Sequence, residues 1–391
     1  MSAESAWVLL PTAQRRDGGW IDDVLAERAR ERGMDRRLTL VGNFPRQRVE
    51  VVRGPDPLGT VGALFYRRGW TDGLPIVAPT IGRVEAMTRA AQGRPASEVV
   101  ATLEPLQGLA TIEKLAVNAV MAGCEPEQFP VLLAAVDALA EPAFNLRGVQ
   151  TTDENVAPLT IVSGPAAARL EMNAGFGALG PGWQANAAIG RALRLIMHNI
   201  GGGWPEAVAF AGLGQPGRYT LCFAEDDAAN PWEPLRVELG FDAEDSIVVL
   251  SRAETAINVT GGLEELASVM GSAASAFTML HSGKVTVVLA PFVAQELAKQ
   301  GRSKADAKRF LFEHGRMPAE QWRRGWLNRR LVGTKQWPAW VRDAAADGAI
   351  PAVAGPDDIT IVVAGGDIPI PQCAYFPSWG FPPCRIAKKF A

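Results

Sequence analysis

The sequence predicts an α/β fold: a mixed sheet with flanking helices, glycine-rich loops at strand and helix ends, and a helical C-terminal cap. Three observations predict it. Short β-branched runs alternate with stretches of helical composition along the whole chain. Glycine clusters punctuate those runs at their ends. Apolar types make up 48% of 391 residues and charged types 21%, so the chain can bury a sizeable core.

Residues 1–54 read as a strand-helix-strand segment. Trp7 to Leu10 is a short apolar run, Asp22 to Arg32 has helical composition, and Gly33 sits where a helix stop belongs. Leu38 to Val41 and Arg46 to Arg53 are the next strand candidates, before Pro55-Asp56-Pro57 marks a soft boundary. Residues 55–391 then form the main α/β domain, for which a division into two lobes near 205–235 is one reading. A helix is expected from Leu58 to Arg68 and an α-hairpin from Thr111 to Ala140. In that hairpin Thr111 serves as N-cap, Gly123 as the C-terminal stop and Pro126 as the opening of the second helix. Strands are expected at Leu159 to Val162, Tyr219 to Phe223, Ile247 to Leu250, Val285 to Leu289 and Ile359 to Val363. Helices are expected at Gln184 to Asn199, Leu263 to Leu280, Ala294 to Gln300 and Ser303 to His314. The Trp- and Arg-rich stretch from Pro318 to Gly348 reads as a helical cap or an oligomer contact, and a homo-oligomer is one outcome it allows.

Composition narrows the function classes. A net charge of −3 argues against a dedicated nucleic-acid binder. No run approaches the roughly 18 apolar residues of a membrane helix, and the opening lacks the basic flank of a secretory signal. Four scattered cysteines, with no CxxC, suit a reducing compartment. A cytoplasmic chain is the expectation. With three histidines in all, no metal centre and no cofactor are predicted.

No common catalytic signature is present, so candidate chemistry rests on local patterns. The segment Gly175 to Trp183 runs into the helix at Gln184, leaving unpaired N–H groups that could seat a carboxylate or phosphate. Gly180, Gly182, Asn186 and Arg191 are its substrate-binding candidates, with Arg194 and His198 on the same helix face as Arg191. A plain turn with a solvated arginine face is the competing explanation. On the helix after Thr111, Lys114, Glu113 and Asn118 are polar groups on an otherwise apolar surface. They either satisfy one another or line a cavity as an acid/base shell. Cys124, at the hinge of the hairpin, is the candidate nucleophile, although a buried inert thiol is the commoner outcome. Gln150 and Thr151, expected in a polar loop after a strand, could supply amide and hydroxyl contacts. Gly365 and Gly366 end a strand, where α/β folds bind ligands. The acidic run Glu225, Asp226 and Asp227 offers a weaker, metal-dependent alternative.

Several blocks carry a family likeness: Trp70 to Pro75, Asn118 to Cys124, Asn173 to Gly182, Asn199 to Gly202, Gly214 to Tyr219 and Pro231 to Pro234. Together they resemble a family of uncharacterised bacterial proteins associated with the UGSC-type (seleno)proteins, over about residues 54–366. The resemblance implies thiol or selenol chemistry on small molecules. The nearest counterpart of the namesake tetrapeptide is Met270-Gly-Ser-Ala273, which lacks both sulfur positions. The resemblance therefore also admits a separate partner protein that supplies the thiol or selenol.

Two functions follow as expectations. The first is an enzyme acting on a small anionic metabolite by acid/base and cysteine-thiol chemistry, of lyase, hydrolase or thiol-dependent transferase type. The second is a non-catalytic binding or assembly subunit of a partner thiol/selenol oxidoreductase. The second gains if the polar groups after Thr111 satisfy each other and no cavity joins them to the glycine loop.

Overall fold

The computed structural model describes residues 5–33 and 48–391. Leu38 to Val41, expected as a strand, lies outside the described residues. The first third of the chain runs β1 (Ser5–Leu9), α1 (Ile21–Glu31), β2 (Val49–Arg53), α2 (Pro57–Arg67), α3 (Ile81–Arg89), β3 (Val99–Leu103), β4 (Gly108–Thr111), α4 (Ile112–Ala122), α5 (Phe129–Ala140) and α6 (Leu146–Thr151). The middle runs β5 (Ala157–Ser163), α7 (Ala166–Arg169), α8 (Gln184–Asn199), β6 (Cys222–Ala224), α9 (Leu235–Glu238) and β7 (Ser246–Ala253). The last third begins with β8 (Ile257–Thr260), α10 (Leu263–Met270), α11 (Ala276–His281), β9 (Val285–Leu289), α12 (Pro291–Lys299) and α13 (Lys304–His314). It closes with β10 (Arg316–Pro318), α14 (Ala319–Arg324), α15 (Ala339–Ala346), β11 (Ala349–Pro351), β12 (Ile359–Val363), β13 (Gln372–Phe376) and β14 (Ile386–Phe390).

Two four-stranded mixed sheets carry the molecule. The first has the order β14-β7-β5-β6, with β5 and β6 parallel and the other neighbours antiparallel. The second has the order β12-β9-β13-β8, with β9 and β12 parallel and β13 antiparallel to both its neighbours. Strand alternation sorts the side chains into layers. In β7, Ile247 and Val249 face a core shared with Val288, Val362 and Phe376 of the second sheet. Val248 and Leu250 face the opposite core, against α5 and α8. In the second sheet Val287 and Leu289 face α10, α12 and α13. The architecture is four layers, helices-sheet-sheet-helices, and the α/β expectation holds.

The chain passes from the first sheet to the second between Ala253 and Ile257, downstream of the 205–235 division suggested by sequence. β14 then returns the C-terminus to the edge of the first sheet, against β7. The N-terminal strand-helix-strand segment is not a separate body, because Val8, Leu9 and Leu10 join the same core as α4 and α8. No single helix among the described residues is long and apolar enough to cross a membrane.

Local rules explain the helix ends. Thr111 caps α4 by accepting from the Lys114 main chain at 3.2 Å, and Gly123 closes it with φ of +91°. One expected helix is interrupted. Leu263 to Leu280 breaks after Met270, where a Cβ on Gly271 would lie 2.6 Å from the Arg316 carbonyl oxygen. Only glycine permits that approach of β10, and Ser272 then starts a new turn by accepting from the Ala274 N–H. Gln150 and Thr151 are helical, not in a loop after a strand: Asn145 caps α6 through the Gly148 N–H.

Candidate functional site

The polar groups after Thr111 meet other polar groups and main-chain carbonyls. Lys114 Nζ donates to the Leu10 carbonyl at 2.6 Å. Asn118, fully buried, donates to the carbonyls of Pro11 (3.1 Å) and Lys114 (2.9 Å) and accepts from Asn199 Nδ2 at 2.8 Å. Asn199 in turn donates to the Trp70 carbonyl. Asp22, buried on α1, accepts from Thr12 Oγ1 at 2.7 Å and Trp70 Nε1 at 2.8 Å. Burial pushes the Asp22 carboxyl up, against the pull of those two hydrogen bonds and of Lys114. Burial likewise lowers Lys114 to about 8, with Glu113 and Asp22 opposing the shift. Glu113 pairs with Arg48. Among these groups only Asn199 Oδ1 stays buried without a partner among the described residues.

The remaining predicted residues separate. Cys124 is buried, its thiol pushed up first by burial and then by Cys222. It lies just past the C-terminal end of α4 while Lys114 is in the first turn, about 15 Å along the axis at 1.5 Å per residue. The two cannot act on one atom. Arg191 holds the Trp70 to Pro75 turn: it grips both oxygens of Asp72, at 2.8 and 2.9 Å, and the Pro75 carbonyl at 2.8 Å. Arg194 donates to the Gly203 carbonyl, and His198 Nε2 donates to that of Gly69 at 2.9 Å. Burial lowers His198 to about 3, so the expected cationic helix face carries a neutral imidazole. Gln150 donates to the Glu104 carbonyl at 2.7 Å and packs where a Cβ on Gly203 would overlap its amide. Thr151 donates to the Arg147 carbonyl. Glu225 is buried and held by Ser163, Asn230 and the Leu235 N–H, and no metal-holding group of three His, Cys, Asp or Glu side chains occurs among the described residues.

Two predicted glycine segments do converge. A cavity of about 200 Å³ opens between the loop Gly177 to Leu179 and the pair Gly365-Gly366. It lies at the carboxyl ends of the parallel strands β9 and β12, where Ala290 and Ala364 form its floor. Asn186 builds the loop from beneath: its side chain accepts from the Asn173 N–H and donates to the carbonyls of Asn173 and Ala178. Gly180 closes a turn onto the Gly177 carbonyl at 2.7 Å, and Gly182, with φ of +127°, carries the chain toward α8. Gly365 donates to the Ala174 carbonyl at 2.7 Å and so fastens the two segments together. The main-chain N–H groups of Gly177, Leu179 and Gly366 make no hydrogen bond among the described residues. Ala290 is also the N-cap of α12, whose positive end therefore opens on the cavity.

Three further lining residues escaped the sequence. Asn258 of β8 and Gln372 of β13 present exposed amides with no partner among the described residues. Cys373 donates to the Gly261 carbonyl at 3.4 Å, and burial pushes its thiol up to about 12. Gln372 and Cys373 lie on β13 and Asn258 on β8, two strands that the sequence did not mark. Among the described residues no charged side chain lines the cavity. No protein-family model matches the chain, and no curated protein matches it.

Proposed function

We propose that this chain is a small-molecule-binding protein whose glycine cleft takes a compact metabolite bearing a carboxylate or phosphate group. One observation carries the reading: two glycine segments nearly 190 residues apart in sequence meet at the carboxyl ends of parallel strands, with free main-chain N–H groups and a helix start on one cavity. The acid group would sit against Gly177, Leu179 and Gly366, with Asn258 and Gln372 completing its hydrogen bonds. Recognition by neutral donors needs no counter-charge, since the helix end and oriented amides supply the positive potential.

The binding-subunit reading gains over the enzyme reading from the cleft itself. Its lining offers no side chain that titrates near neutrality, and Lys114 and Asn118 are absent from it. All four cysteines are free and buried. Any thiol or selenol step would therefore fall to a partner protein, and the unpaired cysteines support a reducing, cytoplasmic setting.

Calorimetric titration with succinate, malate and glycerol phosphate tests this. At least one should bind saturably, and Asn258→Ala with Gln372→Ala should weaken it by about fivefold or more, as the loss of two hydrogen bonds implies. Lys114→Met should leave affinity unchanged. Binding abolished by Lys114→Met and indifferent to both amide changes would overturn the proposal.

A further inference from the structure

A second, larger cavity of about 490 Å³ lies in the outer helical layer of the second sheet, sharing no residue with the glycine cleft. Its size falls in the range of small-molecule pockets. Ala276, Met317 and Leu327 give it apolar walls, and Trp322, Asn328 and Trp337 complete them. Trp322 projects from α14 and Trp337 precedes α15; their rings meet edge to face, with centroids 5.3 Å apart at 76°. The two residues are only 5% and 2% exposed, yet neither indole N–H has a hydrogen-bond partner among the described residues. Asn328 Oδ1 is buried and unpartnered in the same lining. Two orphan donors and one orphan acceptor, on three residues that line a single cavity, cost about 1–3 kcal/mol each while they stay unbonded. A mostly apolar wall gives water too few partners to be a good tenant.

We propose that this cavity is a second ligand site, for a neutral amide with an apolar body. The amide carbonyl would accept from the indole N–H groups, and its N–H would donate to Asn328 Oδ1. The apolar body would pack on Met317, Leu327 and the tryptophan rings. Charge decides against a carboxylate here. The one arginine of the lining, Arg324, is already paired with Glu320 at 2.5 Å on the exposed face of α14. An anion here would thus find no free counter-charge.

The test follows the indole N–H resonances of the ¹⁵N-labelled full chain, assigned with Trp322→Phe and Trp337→Phe, during titration with acetamide, isobutyramide and benzamide. Both resonances should move saturably with at least one amide. Benzoate, the charged analogue of benzamide, should need at least about tenfold higher concentration. Asn328→Ala should weaken the amide by about fivefold; this half-exposed position, together with through-bond assignment in the unmodified chain, keeps the test decisive if a tryptophan variant fails to fold. Indoles unmoved by all three amides up to their solubility would show a solvent-filled cavity and overturn the proposal. Benzoate binding as well as benzamide would overturn the ligand class.

Discussion

Around Asp22 and Lys114, five segments bring polar side chains into the first core, and nearly every donor and acceptor finds a protein partner. At the carboxyl ends of β9 and β12, and again beneath α14, polar groups line open volume and stay unbonded. By residue type the first region resembles an active site far more than the other two. Its saturation is what distinguishes it. Lys114, Asn118 and Asn199 donate to main-chain carbonyls or to one another, and Asp22 accepts from Thr12 and Trp70, so these groups tie segments together, whereas groups left unbonded at a cavity await something that fills it.

The comparison can be broken first by acid. His198 belongs to the bonded region, and its folded pKa of about 3 lies well below the usual 6.5. Its depressed value means the unfolded chain binds the proton first, so stability is fully present above pH 6.5 and falls as pH drops toward 3. The loss is on the order of 4 kcal/mol, read from urea midpoints at pH 7 and pH 3. His198→Gln should flatten that dependence; a variant as acid-sensitive as the parent would remove His198 from the account.

A smaller effect sets a bonded carboxylate against an unbonded one. Asp22→Ala removes the acceptor of the Thr12 hydroxyl and of the Trp70 indole N–H, and should cost about 3 kcal/mol in chemical denaturation. Glu254 has the opposite character: Oε1 is buried without a partner among the described residues, and burial, reinforced by Glu154, raises its pKa to about 8. Its raised folded value means the native chain holds the proton longer, so stability declines as pH climbs from 4.5 to 8. Glu254→Gln should therefore stabilise by about 2 kcal/mol at pH 9 and have little effect at pH 4. Equal destabilisation by both substitutions would erase the distinction between bonded and unbonded groups. Smallest of all, Cys124 should resist alkylation in the native protein at pH 8 and react only on unfolding, as mass spectrometry of the labelled chain would show.

Much of the fold was legible because local rules and tertiary packing agreed. Val285–Leu289, Ile359–Val363 and Gln184–Asn199 form as their periodicity predicts. Where they disagreed, long-range contacts won. The break after Met270 depends on the Arg316 main chain, and β13 is recognisable only once β8 and β9 flank it. The candidate site was legible in halves. Gly365-Gly366 and the glycine loop each stood out, but their meeting is a tertiary fact. Lys114 and Asn118 left two readings open for a physical reason: residue type reveals that a polar group sits on an apolar helix, not whether its partners are already present. Trp322 and Trp337 stood out only as composition, since an orphan N–H is visible only when every neighbour is placed.

The most direct measurement is a backbone amide chemical-shift map of the protein titrated with inorganic phosphate. The account predicts saturable shifts centred on Gly177, Leu179 and Gly366, with the amides around Lys114 and Asn118 unmoved. Shifts centred on Lys114 and Asn118, or spread over the surface with no saturation at the glycine cleft, would contradict it.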